Sequence, residues 1–170
     1  MSAVDWSAPF SELAPGSAFR SRGRTITEAD VAMFAALSGD LHPLHTDREW
    51  AASSRFGERV AHGMLLLSYA VGLVPLDPDR VLALRRVRDA TFKRPVTLGQ
   101  TIHVEGEVAS LARLDGETGL VGWRWRIVTD AQLLACRAEV DVLWSDARRR
   151  RPQAVAEEAL EDLPPGVIPC

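Results

Sequence analysis

The repeat of apolar and polar residues changes part-way along this chain. From Arg80 onward the two kinds alternate one by one, the pattern of a strand with one buried face. Ile102, Val104 and Val108 alternate with His103, Glu105 and Glu107. Trp123, Trp125 and Ile127 alternate with Arg124 and Arg126. The pattern predicts four strands, over 81–92, 101–111, 118–128 and 132–144. Asp115-Gly116 and Thr129-Asp130 mark turns between them. An antiparallel meander with one wet face fits this alternation.

Before Arg80 the reading is mostly helical. Residues 1–17 read as an irregular lead-in ending at Pro15-Gly16, and 18–25 as a first strand. Thr27 is an N-cap, with Glu28 and Asp30 in the first turn, where the helix dipole favours acids. Val31, Phe34, Ala35 and Leu37 form an apolar helical face, and Gly39 is its stop. Residues 39–46 read as a loop. Asp47 caps a short helix through Ser53, with Trp50 as the expected buried anchor, and 56–62 is a second loop. Gly63 to Val74 is apolar nearly all round, which predicts a buried helix, ended by Pro75 and Pro78. Strand, helices, one buried helix and four strands make an α+β chain of the hot-dog kind, a long helix wrapped by an antiparallel sheet. Such a sheet covers its helix on one face, so pairing with a second subunit is expected. The domain is expected over 1–146. Residues 147–170, with Arg148 to Arg151 followed by four acids and four prolines, read as a loosely attached tail.

Length and composition narrow the class. A chain of 170 residues is one ordinary domain. Its longest apolar stretch, Gly63 to Leu76, holds Ser68 and Tyr69 and falls short of a membrane span. The first ten residues lack a basic segment followed by an apolar one, and Cys136 and Cys170 show no disulfide or metal spacing, so a cytoplasmic protein is expected. A net charge of −3 argues against a general nucleic-acid binder. All cationic residues except Lys93 are arginine, which suits phosphate better than lysine does.

The candidate chemistry lies in Ser38-Gly39-Asp40-Leu41-His42-Pro43-Leu44-His45 and in His62-Gly63-Met64. Addition of water to an α,β-unsaturated thioester needs three things: a held and deprotonated water, a stabilised thioester oxyanion, and a proton for C2. A carboxylate, Asp40, can take the water's proton. An imidazole, His45, can hold the same water and pass protons on. A backbone N–H at a helix start, that of Gly63, can meet the oxyanion, and a residue without a side chain lets the thioester approach. On spacing alone the bland reading is the commoner one, because aspartates in Gly-Asp turns usually cap the turn. Asp40, His42, His45 and His62 could instead hold a metal ion.

The two motifs, with Phe56-Gly57 and Val60-Ala61 between them, resemble the MaoC-like (R)-specific enoyl-CoA hydratases. Thr27 to Asp30 and Phe92 to Val96 with Gly99 also agree, so the resemblance covers roughly 18–145. It implies a hot-dog homodimer acting on acyl thioesters, with Asp40 and His45 on one catalytic water and the Gly63 N–H as oxyanion donor. It implies no metal and no redox cofactor; coenzyme A or the phosphopantetheine arm of an acyl carrier protein is the substrate's handle. Fatty acid metabolism and polyketide biosynthesis are the settings it suggests. Two positions depart from the family pattern. His42 stands where an asparagine is usual, and Val71 where a hydroxyl usually precedes the mid-helix glycine, with Ser68 a candidate substitute one turn earlier. His62 is expected either to order its loop or to contact substrate. Arg85, Arg86, Arg88 and Lys93, with Arg94, form a basic patch that could dock phosphates or an acidic carrier. The alternatives are a thioesterase on the same fold and a non-catalytic acyl-binding subunit.

Overall fold

The structure is a computed structural model and describes residues 2–148. Its frame is a six-stranded antiparallel sheet. The strands are β1 (Ala18–Arg20), β2 (Arg24–Thr25), β3 (Val81–Phe92), β4 (Thr101–Arg113), β5 (Thr118–Thr129) and β6 (Leu134–Ser145). They lie in the order β1-β4-β5-β6-β3, with β2 also pairing β4. The helices, all between β2 and β3, are α1 (Glu28–Ser38), α2 (Pro43–Thr46), α3 (Arg48–Ser53) and α4 (Gly63–Leu73). This is the expected hot-dog arrangement. Leu65, Leu66 and Ala70 of α4 share one core with Val104, Val121, Trp123 and Trp125 of the sheet. None of the described helices is long and apolar enough to cross a membrane.

The alternation did its work in β4. Ile102, Val104 and Val108 are buried, and the intervening His103, Glu105 and Glu107 are half-buried. On the outer face Glu105 and Glu107 meet Arg126 and Arg124 across the β4–β5 pairing, exposed pairs that add little stability each. Trp123, Trp125 and Trp144 are buried, so the tryptophan set belongs to the core. The Asp115 turn also forms: its carboxylate accepts from the N–H groups of Glu117 and Thr118.

Other expectations need correction. The first strand is two short ones, broken at Ser21 to Gly23. There the Ser21 hydroxyl accepts from the Val104 N–H and replaces a ladder bond. The 39–46 loop holds α2, because Pro43 is pre-set for a helix start and His42 caps it. Trp50 is 44% exposed, and Ala51 is the buried residue of α3. Strand β3 was expected to bury one face, yet it is exposed along nearly its whole length. It is the outermost strand, and its register on β6 slips three times, with Asp89 at a φ of 51°. The lead-in is not idle either. Trp6 stacks on Trp123 at 5.3 Å, and Phe10 is buried in a short 3-10 turn. Of the expected tail, all but Ala147 and Arg148 lies outside the described residues.

Candidate active site

The site is built where α1 ends, α2 begins and α4 begins. Helix α1 starts with a capping box: Thr27 accepts from the Asp30 N–H, while the Asp30 carboxylate accepts from the Thr27 N–H and hydroxyl. Asp30 is buried and also takes hydrogen bonds from Tyr69 of α4 and from Arg24. Burial raises its pKa, but the donors from Tyr69, Thr27 and Arg24 outweigh that and bring it down to about 2. The helix is thereby fixed to α4 at one end. At the other, Gly39 turns the chain out at a φ of 75°, a left-handed value that favours glycine, and Asp40 follows.

Asp40 is half exposed at its side chain, and its Oδ1 accepts from the His42 N–H at 3.3 Å. Its Oδ2 lies 4.0 Å from His45 Nε2. His45, on α2, is nearly buried. Its Nδ1–H donates to the Val60 carbonyl at 2.7 Å, which leaves the Nε2 lone pair facing Asp40. Burial lowers the His45 pKa; the Val60 carbonyl and Asp40 pull it up, and His62 and His42 push it down. The imidazole is thereby favoured in its neutral form, able to accept a proton.

The second half of the site is the start of α4. His62 is 2% exposed, and its Nε2–H donates to the Asp40 carbonyl at 3.0 Å. Its ring lies 3.8 Å from that of His45 at an angle of 28°, a stacked pair. Gly63 follows as the first residue of α4, where backbone N–H groups have no partner within the helix. A Cβ on Gly63 would come within 2.7 Å of the Phe92 ring, so the ring sits where any side chain would go.

A cavity of about 640 Å³ opens beside these groups. Asp40, His62 and Gly63 line it, with Phe34, Leu66 and Phe92 on its apolar side. Arg55, Lys93 and Arg94 are on its rim, and none of the three has an ion-pair partner among the described residues.

The structure thus brings Asp40, His45, His62 and Gly63 together and divides the basic set. Lys93 is at the cavity; Arg85, Arg86 and Arg88 are not. Arg86 and Arg88 are held by the buried carboxylate of Asp141, and Arg88 also by Glu139, because alternate residues of β3 face their partners on β6. Arg55 and the Phe92 ring were not anticipated. The dipeptide Arg55-Phe56 ahead of Gly57 was the one local signal, a cation set over an aromatic ring in a turn. The four-residue metal set also breaks up. Asp40, His45 and His62 offer ligand atoms within 4.8 Å of one another, whereas the His42 Nδ1 accepts from the Leu44 N–H.

Comparison with known proteins decides the family. The pattern of the MaoC like domain matches residues 11–122. The chain belongs to the MaoC-like family. An (R)-specific enoyl-CoA hydratase of Aeromonas caviae is 35% identical over 114 residues, 67% of this chain and 83% of that one. Protein MaoC of Klebsiella aerogenes is 45% identical over 96 residues, 56% of this chain but 29% of that one. The solved structure of an unliganded R-hydratase from Pseudomonas aeruginosa superposes with a TM-score of 0.68 at 30% identity. It covers 95% of this chain and 96% of that one.

The two departures from the family pattern have distinct local consequences in this MaoC-like chain. His42 keeps a capping role: its Nδ1 caps α2, and its ring meets Trp50 edge-on at 5.4 Å. Val71 brings no hydroxyl, and Ser68 does not replace one, because its hydroxyl is exposed and donates to the Met64 carbonyl of its own helix.

Proposed function

We propose that this chain adds water to 2-enoyl thioesters and, in reverse, dehydrates (R)-3-hydroxyacyl thioesters. One observation carries the reading. A carboxylate and the first N–H of α4 line one cavity, and an imidazole turns its lone pair to that carboxylate. Asp40 takes a proton from a water molecule whose oxygen attacks C3. His45 Nε2 holds the same water in line. The charge that builds on the thioester oxygen falls to the Gly63 N–H at the positive end of α4. A proton delivered to C2 completes the addition, so the elements of one water enter and no electrons are exchanged. No metal or redox cofactor takes part.

The substrate's handle is coenzyme A or the phosphopantetheine arm of an acyl carrier protein, and the rim of Arg55, Lys93 and Arg94 supports a phosphate-bearing handle. The acyl chain lies along Phe34, Leu66 and Phe92. We infer further that the protein works as a homodimer in the cytoplasm. The outer strand β3 presents Leu82, Leu84 and Val87 to solvent, an edge that a second copy would cover.

The test follows the enoyl absorbance of crotonyl-CoA with protein exhaustively chelated beforehand. Loss of absorbance without release of free thiol is expected. Asp40→Asn and His45→Gln should each lower turnover by orders of magnitude while the fold persists. Wild-type rates in both variants, or activity that disappears with the metal, would sink the proposal. Free thiol without loss of the enoyl group would make the protein a thioesterase.

A further inference from the structure

The chemistry assigned above needs three groups from three places in the chain: Asp40 after α1, His45 on α2, and the N–H of Gly63. None of the three groups is hydrogen-bonded to either of the others. What joins them is a pair of crossed ties. The His45 Nδ1–H reaches forward to the Val60 carbonyl, just before α4. The His62 Nε2–H reaches back to the Asp40 carbonyl, just after α1. Between the two ties the imidazole rings lie face to face, 3.8 Å apart. Phe34 of α1 also lies against the His62 ring, tilted at 53° with centroids 5.0 Å apart.

His62 is an expensive choice for packing alone. It is 2% exposed, and its Nδ1 is buried with no hydrogen-bond partner among the described residues. A buried polar atom left unpaired disfavours the folded state, and an apolar ring or a leucine would avoid that cost. Nor does its side chain cap α4, since it makes no bond to the helix's own N–H groups. The one bond it makes is to the backbone of Asp40, and the one ring it stacks on is that of His45.

We propose that His62 is a positioning residue of the water-adding site. With its proton on Nε2 it anchors the Asp40 backbone to the start of α4 and forms the floor on which the His45 ring rests. Carboxylate, imidazole and oxyanion donor are then held as one rigid unit. The proposal rests on the hydratase reading for its kinetic consequence, but not for its geometry. It also explains why the orphaned Nδ1 is tolerated: the tautomer is dictated by the Asp40 carbonyl, which demands a donor and leaves the other nitrogen bare.

Two variants and two readouts test it. His62→Leu keeps an apolar filler and loses the donor. His62→Gln keeps an N–H group that can reach the Asp40 carbonyl. With crotonyl-CoA, His62→Leu should lower kcat about a hundredfold with KM within about threefold of wild type, and His62→Gln should recover to within about tenfold of wild type. An unchanged kcat in His62→Leu, or a His62→Gln protein as slow as His62→Leu, would overturn the proposal. The second readout does not depend on activity. Imidazole nitrogen NMR of the wild-type protein should show His62 protonated at Nε2 and His45 at Nδ1. Amide exchange over residues 40–45 should be slow in wild type and in His62→Gln, and faster in His62→Leu with the rest of the sheet unchanged. A proton on His62 Nδ1, or exchange over 40–45 indifferent to both substitutions, would overturn it as well. A wild-type protein that shows the tautomers and the protection but hydrates nothing would leave His62 as the anchor and sink the hydratase reading alone.

Discussion

Asp30 offers the most direct test of how the site's scaffold is held. Its carboxylate is buried and receives donors from Thr27, Tyr69 and Arg24, which tie α1 to both α4 and β2. Those donors bring its pKa from 3.8 to about 2. A folded-state pKa below the unfolded one means the unfolded chain binds the proton first as pH falls. The stabilisation is therefore complete above the unfolded value and is lost as pH drops toward the folded one. At 1.36 kcal/mol for each pH unit of difference, the charge contributes about 2 kcal/mol at pH 7. At pH 2 only about 0.4 kcal/mol of it remains. Asp30→Asn removes the titration and keeps the shape, with one acceptor oxygen in place of two, a loss that is the same at every pH. Urea unfolding of both proteins at several pH values between 7 and 2 measures the difference. The wild-type advantage should be largest at neutral pH and shrink by about 2 kcal/mol toward pH 2. A gap that stays constant over that range would show that the hydrogen bonds, and not the charge, hold the helix, and would refute the reasoning.

Three further outcomes are expected. Because burial holds the His45 pKa below the usual histidine range, protonation of the unfolded chain begins first as pH falls below about 6.5. Stability and kcat should both decline there, and His45→Gln should flatten the stability profile measured by denaturation. Gly63→Ala should reduce kcat/KM at least tenfold, since its Cβ would lie 2.7 Å from the Phe92 ring and in the path of the thioester. Adding Phe92→Leu should restore melting temperature but not rate; recovery of rate would mean that the packing clash alone was at fault. Glutamate at Arg55, Lys93 or Arg94 should raise KM for enoyl-CoA several-fold at low salt, less at high salt, and not at all for a pantetheine thioester without the phosphates. Reversal at Arg86 and Arg88, which are tied to Asp141 and Glu139, should leave KM unchanged; an equal effect there would return the docking surface to β3.

The sequence was legible where local rules act alone. The Thr27 cap, the Gly39 stop and the period-two runs of β4 depend on neighbours a few residues away, and each is found in place. Position in the sheet is not local. The apolar residues of β3 argued for burial as those of β4 did, yet β4 lies inside the sheet and β3 at its edge, so apolar residues of the two strands meet different surroundings. Trp50 failed for a related reason: its size argued for burial, but α3 turns the small Ala51 inward instead. At the site, Asp40, His45 and Gly63 were visible as motif residues. The tie from His62 to the Asp40 backbone was not, because a side-chain bond to a carbonyl 22 residues away leaves no trace in composition or spacing. The rim was half visible for the same reason, with Arg55 and Lys93 far apart in sequence and joined only by folding.

The clasp made by the lead-in has a spectroscopic consequence. Trp6 lies 5.3 Å from Trp123 and 6.1 Å from Trp144, and the Trp144 indole donates to the Ala8 carbonyl at 3.0 Å. Arg80, itself buried, holds the Ser7 carbonyl from the other side. Three of the five tryptophans thus form one chromophore cluster, Trp6 stacked on Trp123 and Trp144 tilted against both, and Trp6 belongs to the segment before the first strand. Rings this close exchange excitation, so peeling away the first ten residues exposes Trp123 and changes the emission of the whole cluster. Intrinsic fluorescence in this protein therefore reports first on the attachment of the N-terminal segment. A fluorescence transition that precedes loss of the far-ultraviolet sheet signal would record that detachment, a local opening distinct from unfolding of the sheet.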